Sequence, residues 1–387
     1  MAPILRDRVL ELIREEGFEL AGIAAARLHA PARATALKAR AGGALADLAW
    51  MTDEWLERAT DAERFLPGAR SLLVVALPNH SPEPLVPAGG GPRGRVARYA
   101  RGRDYHRVFE KRLRRIARRL REAFGAEARA TVDYGPLLER PYAELAGLAW
   151  RGKSTMALAP GFGPWVMLGV VATTLDLEPD APLKKSCGSC NRCIVACPTG
   201  AIAAEGFVLD SRLCISYHTI ENRGAIPREL REHFEDWVFG CDACLDSCPV
   251  GVANFESESA FLPAGPDEAF PPLSELLVLD EQAFAERFRG RAIMRAKRDG
   301  LVRNACVALG NVGSEADFPA LSRALQDASA LVRGHAAWAI GHLGRRAGAS
   351  EQARRVLENA SSIEHDAYVL EEIALALDDI ADGGPDG

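Results

Sequence analysis

The chain has 387 residues, 48% of them hydrophobic and 26% charged, with a net charge of −6. That length accommodates two or three domains with packed cores, and the composition is ordinary for a globular protein. It excludes a membrane-spanning protein, since no apolar run approaches the ~20 residues a spanning helix needs. It also excludes a generally basic nucleic-acid binder, so any such surface must be local.

Ile4, Val9, Leu10, Leu12 and Ile13 alternate with Arg6, Asp7, Arg8, Glu11, Arg14 and Glu15, the pattern of an amphipathic helix. The segment has no apolar signal-peptide core, so a cytoplasmic protein without a membrane partner is expected. Residues 71–77 read as a buried strand ended by Pro78-Asn79, and the Pro- and Gly-rich stretch 78–94 as a loop. An amphipathic helix is expected over 107–124, with Val108, Phe109, Leu113, Ile116, Leu120 and Phe124 on one side. A strand at 128–133, a helix at 137–148 and a strand at 166–174 complete an α/β or α+β domain over residues 1–180.

Eight of the nine cysteines fall next, in two runs. Cys187, Cys190, Cys193 and Cys197 follow the C-x2-C-x2-C-x3-C-P spacing of bacterial ferredoxins, in which three thiolates hold one cluster and the fourth ligates the other. Cys241, Cys244 and Cys248 form the second run, with Cys214 displaced upstream by an insertion at 215–240. Crossing the fourth ligands assigns one 4Fe–4S cluster to Cys187, Cys190, Cys193 and Cys248, and a second to Cys197, Cys214, Cys241 and Cys244. Structural zinc also favours Cys-x2-Cys pairs, but it draws four ligands from two separated pairs, not three at consecutive three-residue steps ending in Cys-Pro. Nothing marks the chain as secreted, which disfavours disulfides. Cys306, alone in an apolar stretch, reads as packing.

A cluster module over 181–255 should be short of regular structure, because its metals organise it. A linker is expected at 256–280 and a helical domain over 281–387. There Leu301-Val302-Arg303 recurs as Leu331-Val332-Arg333, and Ala308–Gly313 as Ala339–Gly344. A weaker third unit covers residues 366–377. Helical pairs of this period stack as HEAT-like repeats, whose usual role is to offer an extended surface to a large partner.

Further motifs carry a resemblance. They are Leu66-Pro67-Gly68-Ala69-Arg70-Ser71, Tyr99-Ala100-Arg101-Gly102-Arg103-Asp104-Tyr105-His106, and Val132-Asp133 before Gly135-Pro136. Leu138-Glu139-Arg140, Ala146-Gly147-Leu148-Ala149-Trp150 with Gly152-Lys153, Cys214-Ile215-Ser216-Tyr217 and Phe239-Gly240-Cys241-Asp242 extend it. Together with the cysteine runs they resemble the epoxyqueuosine reductase family in its longer form with HEAT-like repeats, over nearly the whole chain. The chain departs from the family's pattern at Val170, at Ser154-Thr155 and at His218, which bears on substrate contacts rather than on the type of reaction.

The resemblance implies an oxidoreductase of queuosine biosynthesis that removes the epoxide oxygen of epoxyqueuosine at the tRNA wobble position. Two 4Fe–4S clusters would feed a base-off cobalamin, with tRNA and an external electron donor as partners and a monomer as the working form. A corrinoid reductase of small molecules, similar to reductive dehalogenases, is the alternative, and a ferredoxin-type electron carrier a more distant one. For the corrinoid the resemblance points to Arg58, Arg98, Asp133, Ala157, Leu168, Cys241, Asp242, Ala243 and Cys244, although Arg58 and Arg98 also read as surface arginines. Asp104-x-His106 begins like a cobalt-ligand motif, but Phe109 replaces its glycine, and a hydrogen-bonded histidine is expected instead.

Asp133 follows a strand and precedes a Gly-Pro turn, so it reads either as a turn or capping residue or as a proton donor. The resemblance favours a carboxyl, half-buried against a corrin, that holds its proton near neutral pH. Two basic runs stand out. Arg107, Lys111, Arg112, Arg114, Arg115, Arg118, Arg119 and Arg121 face only Glu110, and Arg287, Arg289, Arg291, Arg295, Lys297, Arg298 and Arg303 face Glu286 and Asp299. Such runs are usually solvated helix faces. The second opens the repeat domain, so Arg291, Arg295, Lys297, Arg298 and Arg303, with Ser216, are expected to meet tRNA.

Overall fold

The computed structural model describes residues 2–86, 90–251 and 257–382, so the expected boundary at 255 and part of the 78–94 loop lie outside the described residues. The chain forms two compact units that interleave along the sequence. The first comprises residues 1–81, 103–212 and 242–262, the second residues 82–102, 213–241 and 263–387.

In the first unit the N-terminal pattern forms α1 (Ala2–Glu15), followed by β1 (Leu20–Ala25) and β2 (Ser71–Pro78). The basic amphipathic segment forms α2 (Tyr105–Phe124), capped by Asp104 and ended by left-handed Gly125. Then come β3 (Ala128–Thr131), α3 (Glu139–Leu145) and β4 (Val166–Thr173). The strands lie in the order β1-β2-β4-β3 with every pair antiparallel, which makes the domain α+β. Leu72, Val74, Ala76, Leu168, Val170 and Ala172 share a core with Tyr142, Ala143 and Ala146 of α3. The opposite face receives α2, and a Cβ at Gly169 would stand 2.6 Å from Phe109, so glycine is what lets helix and strand approach. A strand covered on both faces reads as an unbroken apolar run, which is why residues 71–77 were legible. β1 was not, because Leu-Ala-Gly-Ile-Ala-Ala offers little bulk or alternation.

In the second unit the strand Arg95–Val96 runs parallel to Trp237–Phe239, a long-range pairing with no local signal. Around it pack α4 (Lys297–Val312), α5 (Ala330–Arg346), α6 (Ser350–Ser361) and α7 (Ala367–Asp382). Leu273, Leu276 and Leu277, within the expected linker, are buried in this core, so part of that stretch is structural. Cys306 is fully buried in α4, as expected of a packing residue.

Polar groups tie this core together. Asn304 donates from Nδ2 to the carbonyls of Thr219 (2.9 Å) and Val238 (2.8 Å). Arg303 is fully buried and donates to the carbonyls of His218 (2.5 Å), Asn222 (3.0 Å) and Gly224 (2.7 Å). Arg231 is also buried, paired with Glu372 at 2.5 Å and 2.9 Å. Removing one partner of a buried pair leaves the other charge desolvated and uncompensated. Glu372→Leu should therefore destabilise the protein by roughly 3 kcal/mol, and adding Arg231→Met should restore much of the loss in a denaturant titration. Equal stability of the single variant and the parent would refute that role.

Candidate active site and cluster ligands

The antiparallel registers bring the C-terminal ends of β2 and β3 to the end of the sheet where β4 begins. Asp133 follows β3 there, with a backbone φ of +46° that few non-glycine residues adopt. That conformation ends the strand at Thr131, two residues short of the expected limit. Glu139, at the start of α3, accepts the Asp133 N–H at 2.5 Å. The helix that follows takes Leu138 as its N-cap residue and has no side-chain cap, so Asp133 is not its cap, the alternative reading of this residue.

The Asp133 carboxylate lies 3.2 Å from Nε2 of His106, whose Nδ1 lies 2.7 Å from Asp104. The His106 ring stacks between Tyr105 (4.0 Å) and the exposed Tyr134 (5.3 Å). Both ring nitrogens are therefore engaged, in line with a hydrogen-bonded histidine rather than a metal ligand. Burial opposes the charge on His106, but the bonds to Asp104 and Asp133 outweigh it and raise its pKa to about 9.

The proton is distributed differently from the sequence expectation. Desolvation would raise the Asp133 pKa, but the side chain keeps 60% of its surface exposed, and hydrogen bonds from His106 and Tyr105 hold the carboxyl below its ordinary range. Burial, and then the Asp133 charge, push Glu139 up to about 8. At neutral pH the proton-bearing groups are His106 and Glu139, and Asp133 is the anion between them. Sequence reasoning missed both partners as site residues, because neither Asp-Tyr-His nor Leu-Glu-Arg announces a contact with a residue about 27 or 6 positions away.

Around the same sheet end, Ala157 and Leu168 are buried in the core shared with α3. Arg58 is exposed at the end of the helix Asp53–Ala59. Asp242 is buried and opens the short helix Ala243–Asp246, which carries Cys244. Arg98 and Cys241 belong to the second unit, where Arg98 is buried and paired with Glu83 at 2.5 Å. Two buried polar atoms near the sheet end, Asn79 Oδ1 and Thr131 Oγ1, have no hydrogen-bond partner. The apolar Ala157 and Leu168 and the carboxylate of Asp242 have the mixed character that suits a large ligand with amide arms, as a corrinoid is.

All nine cysteines are free. Burial raises the Cys193 thiol, and the neighbouring charges of Cys187, Cys248 and Cys190 add to the effect. Burial raises the Cys248 thiol as well, and the charges of Cys187 and Cys190 add to the effect. Cys187 Sγ accepts the Lys153 N–H at 3.4 Å, and Cys197 Sγ the Ala201 N–H at 3.2 Å, bonds of the kind that tune a cluster's potential.

The basic runs are largely neutralised. Arg112, Arg114, Arg115, Arg118 and Arg119 pair with Glu258, Glu110, Glu16, Glu122 and Glu15. Arg291 pairs with Glu268, Arg295 with Glu221, and Arg298 with Asp327. Arg303 is a correction to the expected tRNA set, since a guanidinium with no exposed surface cannot reach a phosphate. Arg298 keeps 12% of its side-chain surface, whereas Arg295 keeps 54% and Lys297 is exposed. Ser216 is half-buried.

Comparison with known proteins assigns the family. A model described as epoxyqueuosine reductase QueG, DUF1730, matches residues 60–134, one for a 4Fe-4S double cluster binding domain residues 186–251, and one for HEAT repeats residues 291–378. The epoxyqueuosine reductase of Gloeobacter violaceus is 41% identical over 280 residues, covering 70% of this chain and 85% of that protein. That of Xanthomonas campestris pv. campestris is 37% identical over 342 residues, covering 87% and 96%. The chain belongs to the epoxyqueuosine reductase family.

It is thus an oxidoreductase of queuosine biosynthesis, and all eight clustered cysteines lie within its double 4Fe–4S domain, which rules out the zinc alternative. Two solved epoxyqueuosine reductases superpose on 98% of the chain and all of their own, at 27% identity. One, with a TM-score of 0.90, is held with an epoxyqueuosine-modified tRNA-Tyr stem loop. The other, from Bacillus subtilis, has a TM-score of 0.89 and a catalytic aspartate loop swung out of its active site. Among the described residues no helix is long and apolar enough to cross a membrane.

The charge distribution is open to measurement. The His106 ring should titrate near 9 by NMR, so its positive charge persists through neutral pH and is lost as pH rises through that value. In Asp133→Asn the midpoint should fall, because one of its two anionic partners is gone, while remaining above the ordinary histidine value through Asp104. An unchanged midpoint would dissolve the pair.

Proposed function

We propose that this reductase converts the epoxide of epoxyqueuosine at the wobble position of a tRNA anticodon stem-loop into the alkene of queuosine. The epoxide takes up two electrons and two protons and releases water. Electrons would pass singly through the clusters of Cys187, Cys190, Cys193 and Cys248 and of Cys197, Cys214, Cys241 and Cys244. The contact between His106 and Asp133, at the edge of the family-matched segment, carries the reading.

Cobalamin, when bound, supplies a low-valent cobalt able to attack an alkyl C–O bond, which iron–sulfur clusters alone do not readily do. Arg58, Arg98, Ala157, Leu168, Asp242 and Ala243, with Cys241 and Cys244 flanking the last two, are the residues that would hold it. Asp133 would protonate the departing oxygen. Because its own carboxyl is held ionised, it would draw that proton from His106, and Glu139 would keep its backbone in place.

Asp133→Asn should retain eight irons and bound corrinoid yet lose turnover by about 100-fold or more, the usual scale of a general acid. Iron content, the visible spectrum and queuosine formation check this. Near-parental turnover would reduce Asp133 to a turn residue.

The tRNA stem loop bound by a relative of the same fold supports a nucleic-acid partner here. Lys297 and Arg295, the exposed members of the expected tRNA set, with Ser216, are the proposed contacts. Arg291, Arg295 and Arg298 would act only by leaving their carboxylates, whereas Lys297 has none to leave. Replacing Lys297 and Arg295 with Gln should weaken stem-loop binding and lower the salt slope by about one per lost contact. Arg303→Met should instead lower the melting temperature without altering the slope. Unchanged binding at every salt concentration in the double variant would exclude this face.

A further inference from the structure

Residues 181–204 contain Lys184, Lys185 and Arg192 and no Asp or Glu, in a chain whose net charge is −6. The stretch carries the first cysteine run. Two cations outside it are fastened to it or just beyond its end. Lys153 donates from Nζ to the Gly188 carbonyl at 2.9 Å, and the neighbouring Arg151 donates to the Phe207 carbonyl at 2.5 Å. Lys185 Nζ lies 5.4 Å from the centre of the Trp150 ring. Among the described residues none of these five cations forms an ion pair, whereas Arg6, Arg112, Arg115 and Arg119 of the same unit all do. Of the acids that follow, Asp210 is taken by Arg212 at 2.6 Å, leaving Glu205 exposed.

Exposed apolar side chains accompany the charges. Val195, on the short helix Arg192–Val195 between Cys193 and Cys197, keeps 77% of its surface exposed, and Val208 keeps 47%. Cys187, Cys190 and Cys193 are only half-buried. This stretch thus combines unpaired cations, exposed aliphatic side chains and thiolates near the surface, the mixture of groups suited to a transient protein contact.

We propose that this face docks an acidic one-electron carrier protein, of the flavodoxin or ferredoxin class, which reduces the cluster of Cys187, Cys190, Cys193 and Cys248. The inference rests on the proposed role of the clusters as an internal relay. Each encounter moves one electron from reduced carrier to oxidised cluster, with no bond made or broken, and two encounters serve one epoxide. Charge complementarity selects the partner, since opposite charges speed encounter and orient the two redox groups. Lys153, Arg151, Lys184, Lys185 and Arg192 present the positive charge, and a carrier with a negative face meets it.

The test uses the full-length, cluster-loaded protein, with Lys184→Gln, Lys185→Gln and Arg192→Gln combined, and a second variant changing only the two lysines to Glu. Stopped-flow reduction by flavodoxin hydroquinone should slow at least ~10-fold at low ionic strength, with a flattened salt dependence, in both variants. Reduction by methyl viologen radical, iron content, cluster midpoint potentials and affinity for the tRNA stem loop should match the parent. The proposal is overturned by an unchanged flavodoxin rate, by weakened stem-loop binding with an unchanged rate, or by shifted potentials that account for the slower rate. A parent protein whose clusters accept no electrons from methyl viologen would instead defeat the relay reading itself.

Discussion

The Glu139 carboxyl that accepts the N–H of left-handed Asp133 sets the geometry on which the candidate site depends. A carboxylate in extended backbone would continue β3. The turn at Asp133 brings it instead to the ring of His106, at the start of α2. Two helices therefore converge on one residue: α2 supplies a cation and α3 supplies the backbone anchor. Gly169 is part of the same constraint, because without its missing Cβ α2 could not lie close enough to the sheet.

Three titratable groups in contact must share protons. Asp133 has the exposed carboxylate and the two donors, so it ionises. Glu139 is buried beside that negative charge, so it keeps its proton to about pH 8. A site with protonated neighbours around an anion can return a proton to the anion once it has given one up, a capacity a lone half-buried aspartic acid lacks.

Elsewhere the arginines are mostly consumed by the structure. Arg303 and Asn304 satisfy carbonyls of the 215–240 insertion, and Arg231 meets Glu372 of α7. The insertion between Cys214 and Cys241 is thereby built into the same core as the repeats. Among the described residues Lys297 and the cations around the first cysteine run form no such ion pair.

The sequence by itself determined the ligand chemistry, the helical repeat period and the strands buried on both faces, because thiolate spacing and apolar periodicity are local properties. The double cluster domain, the repeats and the family were legible for that reason. Asp133 was legible as a candidate through its motif, but its charge state was not, since that depends on His106, Tyr105 and Glu139 meeting it in space. Tertiary structure alone decided that the sheet is antiparallel and that Arg95–Val96 pairs with Trp237–Phe239. It also decided that Arg303 is buried while Lys297, six residues earlier, is exposed. The physical reason is that a charge run in sequence carries no record of which carboxylates and carbonyls the fold will bring against it.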